Sequence, residues 1–178
     1  MPMKPLIVTA NLIVGQDGST TLNGSSTALS TAPDRLRFHQ LRDHQELIII
    51  GGNTARREPY KRTPIPLYIL THAKIRLQPK NQLAKQFQLT PAQLLAEISN
   101  NFQSEQPQIN VLVEAGPNLL MQMIDQSLID YLYLTVNLDK QGENRISISD
   151  LVENFELLES EKIEDCEFRK YKKTSQLK

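Results

Sequence analysis

Cysteine is almost absent: Cys166 stands alone in 178 residues. That excludes a disulfide framework and a cysteine-rich zinc site. No apolar run reaches the ~20 residues that a membrane helix requires, and no secretory leader pattern is read at the N-terminus. Neither sign of charge prevails. Twenty Lys/Arg stand against twenty Asp/Glu, so no global basic field argues for nucleic acid. Several chemical signatures are missing as well: Gly-x-Gly-x-x-Gly, a Gly-Lys-Ser/Thr phosphate loop, and a Gly-x-Ser-x-Gly elbow around Ser25 and Ser26. His39, His44 and His72 lack metal-ligand spacing with one another, so no metal is expected. His39 falls on a helix, where a satisfied, partly buried imidazole is the expectation. These absences leave a soluble, cytoplasmic protein with a small-molecule partner and neither a nucleic-acid nor a membrane partner. A length of 178 residues suits one domain over 1–178, long enough to bury roughly 68–70% of its unfolded surface.

Charge is unevenly placed. Residues 34–85 hold eleven Lys/Arg against four acids, and residues 86–167 hold fifteen acids against three bases. A basic half with arginines beside glycine turns suits an anionic small ligand. The plainer reading is two oppositely charged solvated faces, meeting across a subunit contact in a homodimer.

Strand and helix signals alternate along the chain. Pro5–Val14 is a continuous apolar run, as expected of a strand buried on both faces. Asp17-Gly18 and Asn23-Gly24 are turn dipeptides. Ser30-Thr31-Ala32-Pro33-Asp34 supplies a hydroxyl cap, an early proline and a first-turn acid, which announces a helix with Leu36, Phe38/His39 and Leu41 on its apolar face. Leu47–Ile50 is the next strand and ends at Gly51-Gly52. Leu67–Thr71 is another. Thr90-Pro91-Ala92-Gln93 opens a helix to about Asn101 with a capping box. Ile109–Val113, a helix from Gly116-Pro117 to about Gln126, and the strand Leu132–Val136 follow. Phe155–Ile163 and Phe168–Lys172, joined at Glu164-Asp165-Cys166, read as an antiparallel hairpin. The pattern predicts an α/β domain with a mostly parallel sheet, helices on both faces and a C-terminal antiparallel hairpin.

Two segments share one design: a buried strand, a glycine turn, then a helix start. They are Ile48-Ile49-Ile50-Gly51-Gly52-Asn53-Thr54 and Val111-Leu112-Val113-Glu114-Ala115-Gly116-Pro117-Asn118-Leu119. In parallel α/β sheets, ligands bind outside the carboxyl ends of strands, where helix N-termini offer free N–H groups to anions. Glycine lets backbone approach a pyrophosphate closely. Each turn alone is an ordinary tight turn. The pair, flanked by arginines, points to a dinucleotide.

An ordered series of motifs carries a family resemblance. Asn11-Leu12-Ile13-Val14-Gly15-Gln16-Asp17-Gly18 is followed by Gly24-Ser25-Ser26, Leu29–Arg35, Leu41-Arg42, Gly51–Thr54, Glu114–Leu119 and Leu128-Ile129-Asp130. Over residues 6–137 the chain resembles the reductase domain of bacterial riboflavin biosynthesis, which has a dihydrofolate-reductase-like fold. The resemblance implies an NADPH-dependent oxidoreductase that reduces the ribosyl group of 5-amino-6-(5-phosphoribosylamino)uracil, or a related pyrimidine, to ribityl. It places Ser26, Arg42 and Glu114 against substrate, with Arg42 on the phosphate and Glu114 also the catalytic candidate. It places Ile13, Ala28, Gly51, Gly52, Thr54, Glu58, Gly116, Pro117, Asn118 and Leu119 along the cofactor.

Departures from the family pattern are specific. Thr54-Ala55-Arg56-Arg57-Glu58-Pro59-Tyr60 is one residue shorter than the common acid-acid-proline loop and resembles a stand-alone subgroup reading Thr-x-Arg-x-Glu-x-Tyr. Glu58 falls on the first acid, and Arg62 is the candidate for the displaced substrate arginine. Ala115 replaces a glycine and sets a methyl near the cofactor. One cysteine cannot supply the Pro-Cys-x-x-Cys ligands of the zinc deaminase half found in bifunctional relatives. Two alternatives stay open: a dihydrofolate or dihydropterin reductase, and a catalytically silent NADPH-binding module.

Overall fold

The computed structural model describes residues 3–175. In chain order the elements are β1 (Leu6–Gly15), β2 (Ser19–Thr21), a 3-10 turn (Thr27–Leu29), α1 (Ala32–Asp43), β3 (Leu47–Gly51), α2 (Gly52–Arg57), β4 (Leu67–Leu70) and β5 (Ala84–Phe87). Then come α3 (Pro91–Asn101), β6 (Ile109–Val113), α4 (Pro117–Asp125), β7 (Tyr131–Asn137), β8 (Glu143–Arg145), α5 (Ile148–Val152), β9 (Phe155–Ile163) and β10 (Cys166–Lys173). Eight strands form one sheet in the order β5-β4-β3-β6-β1-β7-β10-β9. Every pairing from β5 to β7 is parallel. The pairings of β10 with β7 and with β9 are antiparallel. This is the mostly parallel α/β sheet with an antiparallel C-terminal hairpin that the sequence predicts.

The local chemistry explains the elements. β3 reads Leu47-Ile48-Ile49-Ile50, all 0–1% exposed, because its two faces serve two cores. Leu47 and Ile49 pack with Leu94, Ile98, Leu120 and Met123 on the α3/α4 side, whereas Ile48 and Ile50 pack with Ala55, Leu67 and Ile69 on the other. α3 starts at the expected capping box: Thr90 Oγ1 accepts from Gln93 N at 3.2 Å and Gln93 Oε1 accepts from Thr90 N at 2.9 Å. α1 starts after Thr31, whose Oγ1 accepts from Asp34 N.

Other expectations change. Leu36 is 60% exposed and His39 is exposed, so α1 carries no buried apolar stripe; its buried residue is Asp34. Cys166 belongs to β10 rather than to the turn, which Glu164 makes with a φ of 54°. β2, β5, β8 and α5 carry no clear sequence signal because each is only three to five residues long. β2 and β8 pair as a separate ribbon. Its bend requires Gly18: φ is +80° and an added Cβ would stand 2.2 Å from the Ile146 carbonyl oxygen. No helix among the described residues is long and apolar enough to cross a membrane.

Candidate active site

A cleft of about 890 Å³ opens at the carboxyl ends of β1, β3, β4, β5 and β6, where an open parallel sheet offers its ligand crevice. One half is walled by Gly51–Thr54, Leu70–His72, Gln88–Pro91 and Glu114–Leu119. The other half lies between α1 and the Ser25–Thr27 turn, with Ile13, Ser26, Asp34, Arg42, Tyr60 and Arg62 on its walls. Thr20, Thr21 and Asn144 of the β2/β8 ribbon border it.

The two strand–glycine–helix segments meet in this cleft. β3 and β6 are sheet neighbours, and Gly116 N donates to Thr54 Oγ1 at 3.2 Å. Gly116 is the N-cap of α4 and supplies no side-chain cap, and Pro117 occupies the first helical position. The first N–H groups of α4 therefore have no side-chain partner at their cap, and the dipole end faces the cleft. An added Cβ at Gly116 would meet only Thr54 Oγ1, at 3.6 Å. The chain's own packing leaves room for a side chain there, so the bare backbone is accessible to a ligand. This geometry fits the pyrophosphate of a dinucleotide.

At the junction of the two halves sits a network built on Glu114, which follows the last residue of β6. Arg42 of α1 donates from Nε to Glu114 Oε1 and from Nη2 to Oε2, both at 2.7 Å. The side chains are 12% and 2% exposed. Tyr60 Oη donates to Glu114 Oε2 at 2.8 Å. The Arg42 guanidinium also lies over the Phe38 ring, 4.4 Å from its centre, and near that of Tyr60. Burial, and then the Glu114 carboxylate, hold the Tyr60 hydroxyl well above the ordinary tyrosine range. Tyr60 therefore keeps its proton at neutral pH and serves as a donor.

The sequence-predicted residues distribute clearly. Ser26, Arg42, Arg62, Glu114, Ile13, Gly51, Gly52, Thr54, Glu58, Gly116, Pro117, Asn118 and Leu119 all line the cleft. Ala28 does not: it lies in the 3-10 turn, and its carbonyl accepts from Lys140 Nζ. Arg42 is not a free cation awaiting a phosphate, since two of its nitrogens are committed to Glu114. The Glu58 carboxylate is engaged by Ser25, Ser26 and Thr27. Ala115 is 4% exposed and belongs to the core cluster while still bordering the cleft. Arg57 and Arg62 line the cleft and are exposed, whereas Arg56 is exposed outside it and donates to Asn53 Oδ1. Tyr60 and Asp34 were not among the predicted residues. The Thr-x-Arg-x-Glu-x-Tyr spacing was the available signal for Tyr60; Asp34 read only as a first-turn helix acid.

A family model, RibD C-terminal domain, matches residues 7–165. The chain belongs to the RibD C-terminal domain family. The match extends past the quoted motifs into the hairpin. No curated protein sequence matches this chain. Among solved structures, RibD of Acinetobacter baumannii is similar at 16% identity and a TM-score of 0.75, covering 97% of this chain and 59% of that one. The chain thus spans 59% of that RibD chain's length. A pyrimidine reductase-like protein of Corynebacterium diphtheriae is similar at 17% identity and a TM-score of 0.71, over 96% of this chain and 92% of that one. Dihydrofolate reductase of Enterococcus faecalis, solved with NADP(H), is similar at 14% identity and a TM-score of 0.69, over 95% and 97%. At these identities the likeness shows the dihydrofolate-reductase-like fold.

Proposed function

We propose that this RibD C-terminal domain is an NADPH-dependent reductase that converts the ribosyl group of 5-amino-6-(5-phosphoribosylamino)uracil, or a related pyrimidine, to ribityl. The observation that carries this reading is the Arg42–Glu114–Tyr60 network, two residues upstream of the open Gly116 turn and in the same cleft. Bound NADPH supplies a hydride. Gly116–Leu119 and Thr54 would hold its pyrophosphate end, and Gly51-Gly52 border the same wall. At the sugar, the carbon bonded to the amine gains the hydride, its bond to the ring oxygen breaks, and that oxygen takes a proton. Hydride transfer depends on orientation in a dry pocket rather than on an activated side chain. Glu114, oriented by three hydrogen bonds, positions the polar substrate against Ile13. Arg42 leaves Nη1 without a hydrogen bond among the described residues, which serves a substrate oxygen, and Arg62 and Arg57 offer exposed charge for a phosphate.

A pterin substrate is favoured by one observation. Asp34 is a buried carboxylate on the cleft wall; its Oδ2 accepts from Ser30 Oγ at 2.6 Å, and its Oδ1 has no hydrogen bond among the described residues. A pterin presents adjacent amino and ring N–H donors to such an acceptor. Titrating NADPH and NADH, then supplying the uracil nucleotide or dihydrofolate, separates the readings. The pyrimidine-reductase reading requires NADPH to bind at least about tenfold tighter than NADH, roughly 1.4 kcal/mol, and the uracil nucleotide to be the substrate turned over. Turnover of dihydrofolate alone establishes the pterin reading, and NADPH binding without turnover of either leaves a silent binding module. The protein is proposed to act in the cytoplasm as a single-domain homodimer.

A further inference from the structure

Glu58 has more hydrogen bonds from one turn than any other carboxylate near the cleft. Its Oε1 accepts from Ser25 Oγ at 3.1 Å, Ser26 N at 3.2 Å and Ser26 Oγ at 3.0 Å, and its Oε2 accepts from Thr27 Oγ1 at 3.2 Å. Three consecutive residues thus converge on one carboxylate. None of the ion pairs among the described residues includes Glu58. Hydrogen bonds to an ionised acceptor are the stronger kind.

The anchor itself is fixed. Glu58 is the C-cap of α2, and its N–H donates to Thr54 O at 2.9 Å. Gln78 Nε2 donates to Ala55 O at 2.7 Å and Glu58 O at 2.8 Å, and Gln78 Oε1 accepts from Tyr60 N at 3.1 Å. One amide side chain therefore holds both ends of the Glu58–Tyr60 segment. The turn has few other ties. Its outer end is held by Glu143, which accepts from Asn23 N and Gly24 N, and by the Leu22–Ser25 bridge. The remaining bonds of Ser26 and Thr27 are local: Leu29 N to Ser26 O, Ser30 N to Thr27 O, and Thr27 N to Ser25 Oγ.

We infer that Glu58 is a positioning residue: its carboxylate fixes the Ser25–Thr27 turn over the substrate half of the cleft and aims Ser26, rather than contacting the cofactor. This rests on the proposed reading of the cleft for what Ser26 faces, but the tie itself does not. The segment Thr54–Glu58 begins at the Gly116 contact and ends at the turn, so one short helix spans from the cofactor wall to the substrate wall.

The test is amide hydrogen exchange over residues 22–29, with NADPH titration and steady-state kinetics on the uracil nucleotide, for Glu58→Ala, Glu58→Gln and Glu58→Asp. Glu58→Ala should raise exchange at the Ser26 amide about tenfold or more. Glu58→Gln keeps Oε1 as acceptor and puts a donor opposite the Thr27 hydroxyl, so exchange should return to within about threefold of wild type. Glu58→Asp, one methylene short, should behave like Ala. NADPH affinity should change by less than about twofold in all three. The KM for the uracil nucleotide should rise about tenfold in Glu58→Ala, with kcat within about threefold. If Glu58→Ala fails to fold, the Ser26→Ala/Thr27→Val double variant removes the Ser26 and Thr27 hydroxyl donors instead and should loosen the same amides. Unchanged exchange in Glu58→Ala and Glu58→Asp, or NADPH affinity lost about tenfold with exchange intact, overturns the inference. A wild-type protein that ignores the uracil nucleotide defeats the substrate reading alone; the exchange result still decides the tie.

Discussion

Arg42 and Glu114 come from segments 72 residues apart and meet with both carboxylate oxygens engaged. The side-chain exposures of 12% and 2% make this a buried pair, in which removing one partner strands the other. Arg42→Ala should destabilise the protein by about 3–5 kcal/mol in urea unfolding. Adding Glu114→Gln should restore part of that loss, because no uncompensated charge then remains. Strictly additive losses would show that the pair is not coupled. Tyr60 gives a pH signature. Its folded pKa is raised by burial and by Glu114, so the protonated hydroxyl is favoured in the folded state. The stability this confers is fully present below the unfolded tyrosine pKa of about 10 and is lost as pH rises above it. Wild type should lose stability above that pH more steeply than Tyr60→Phe, by up to about 1.4 kcal/mol per pH unit. Parallel stability curves for the two proteins would refute the assignment. At this scale Glu114 and Arg42 were legible from their places in ordered motifs. Their mutual pairing was not, since no local pattern links a helix end to a distant strand end.

The glycines after β3 and at the start of α4 look alike in sequence but differ in the fold. At Gly52 an added Cβ would stand 2.5 Å from Thr71 Oγ1 and 3.0 Å from Thr71 Cβ, so this glycine is required for α2 to pack against the end of β4. Gly116 has only the 3.6 Å contact with Thr54 Oγ1. Gly52→Ala should therefore cost about 1–3 kcal/mol of stability through overpacking. Gly116→Ala should leave the melting temperature unchanged and weaken NADPH binding about tenfold or more. Thermal unfolding beside a fluorescence titration reads both, and a Gly116→Ala protein that binds NADPH normally places the pyrophosphate elsewhere. Elements with a strong local cause were legible: β3 through its apolar run, and α3 through its capping box. α1 was legible as a helix but not in its packing. Its apolar residues Leu36 and Phe38 lie on an exposed surface and on the cleft wall rather than against the core. The short strands β5 and β8 acquire their structure from their partners, a tertiary cause that propensity does not register.

Across the whole molecule, the charge asymmetry of the sequence acquires a place. Four arginines of the basic half, Arg35, Arg42, Arg57 and Arg62, line one cleft, while the acids of β9 occupy the far edge of the sheet. The sheet order brings the ends of β3, β6 and β1 together, so that turns from three distant segments make one site. That convergence follows from parallel topology, and the strand–glycine–helix pattern implies it. The β2/β8 ribbon bordering the site was not legible, because its pairing spans more than a hundred residues and its strands are three residues each. On the proposed reading, this cleft sets a nicotinamide against a ribosyl carbon. That placement is tested most directly with NADPH deuterated at one face of its reactive carbon and 5-amino-6-(5-phosphoribosylamino)uracil as acceptor, the product being read by mass spectrometry. A ribityl product carrying deuterium from one face of the cofactor and none from the other is the expected result. A product without deuterium from either face, or no ribityl product while NADPH is bound, would contradict it.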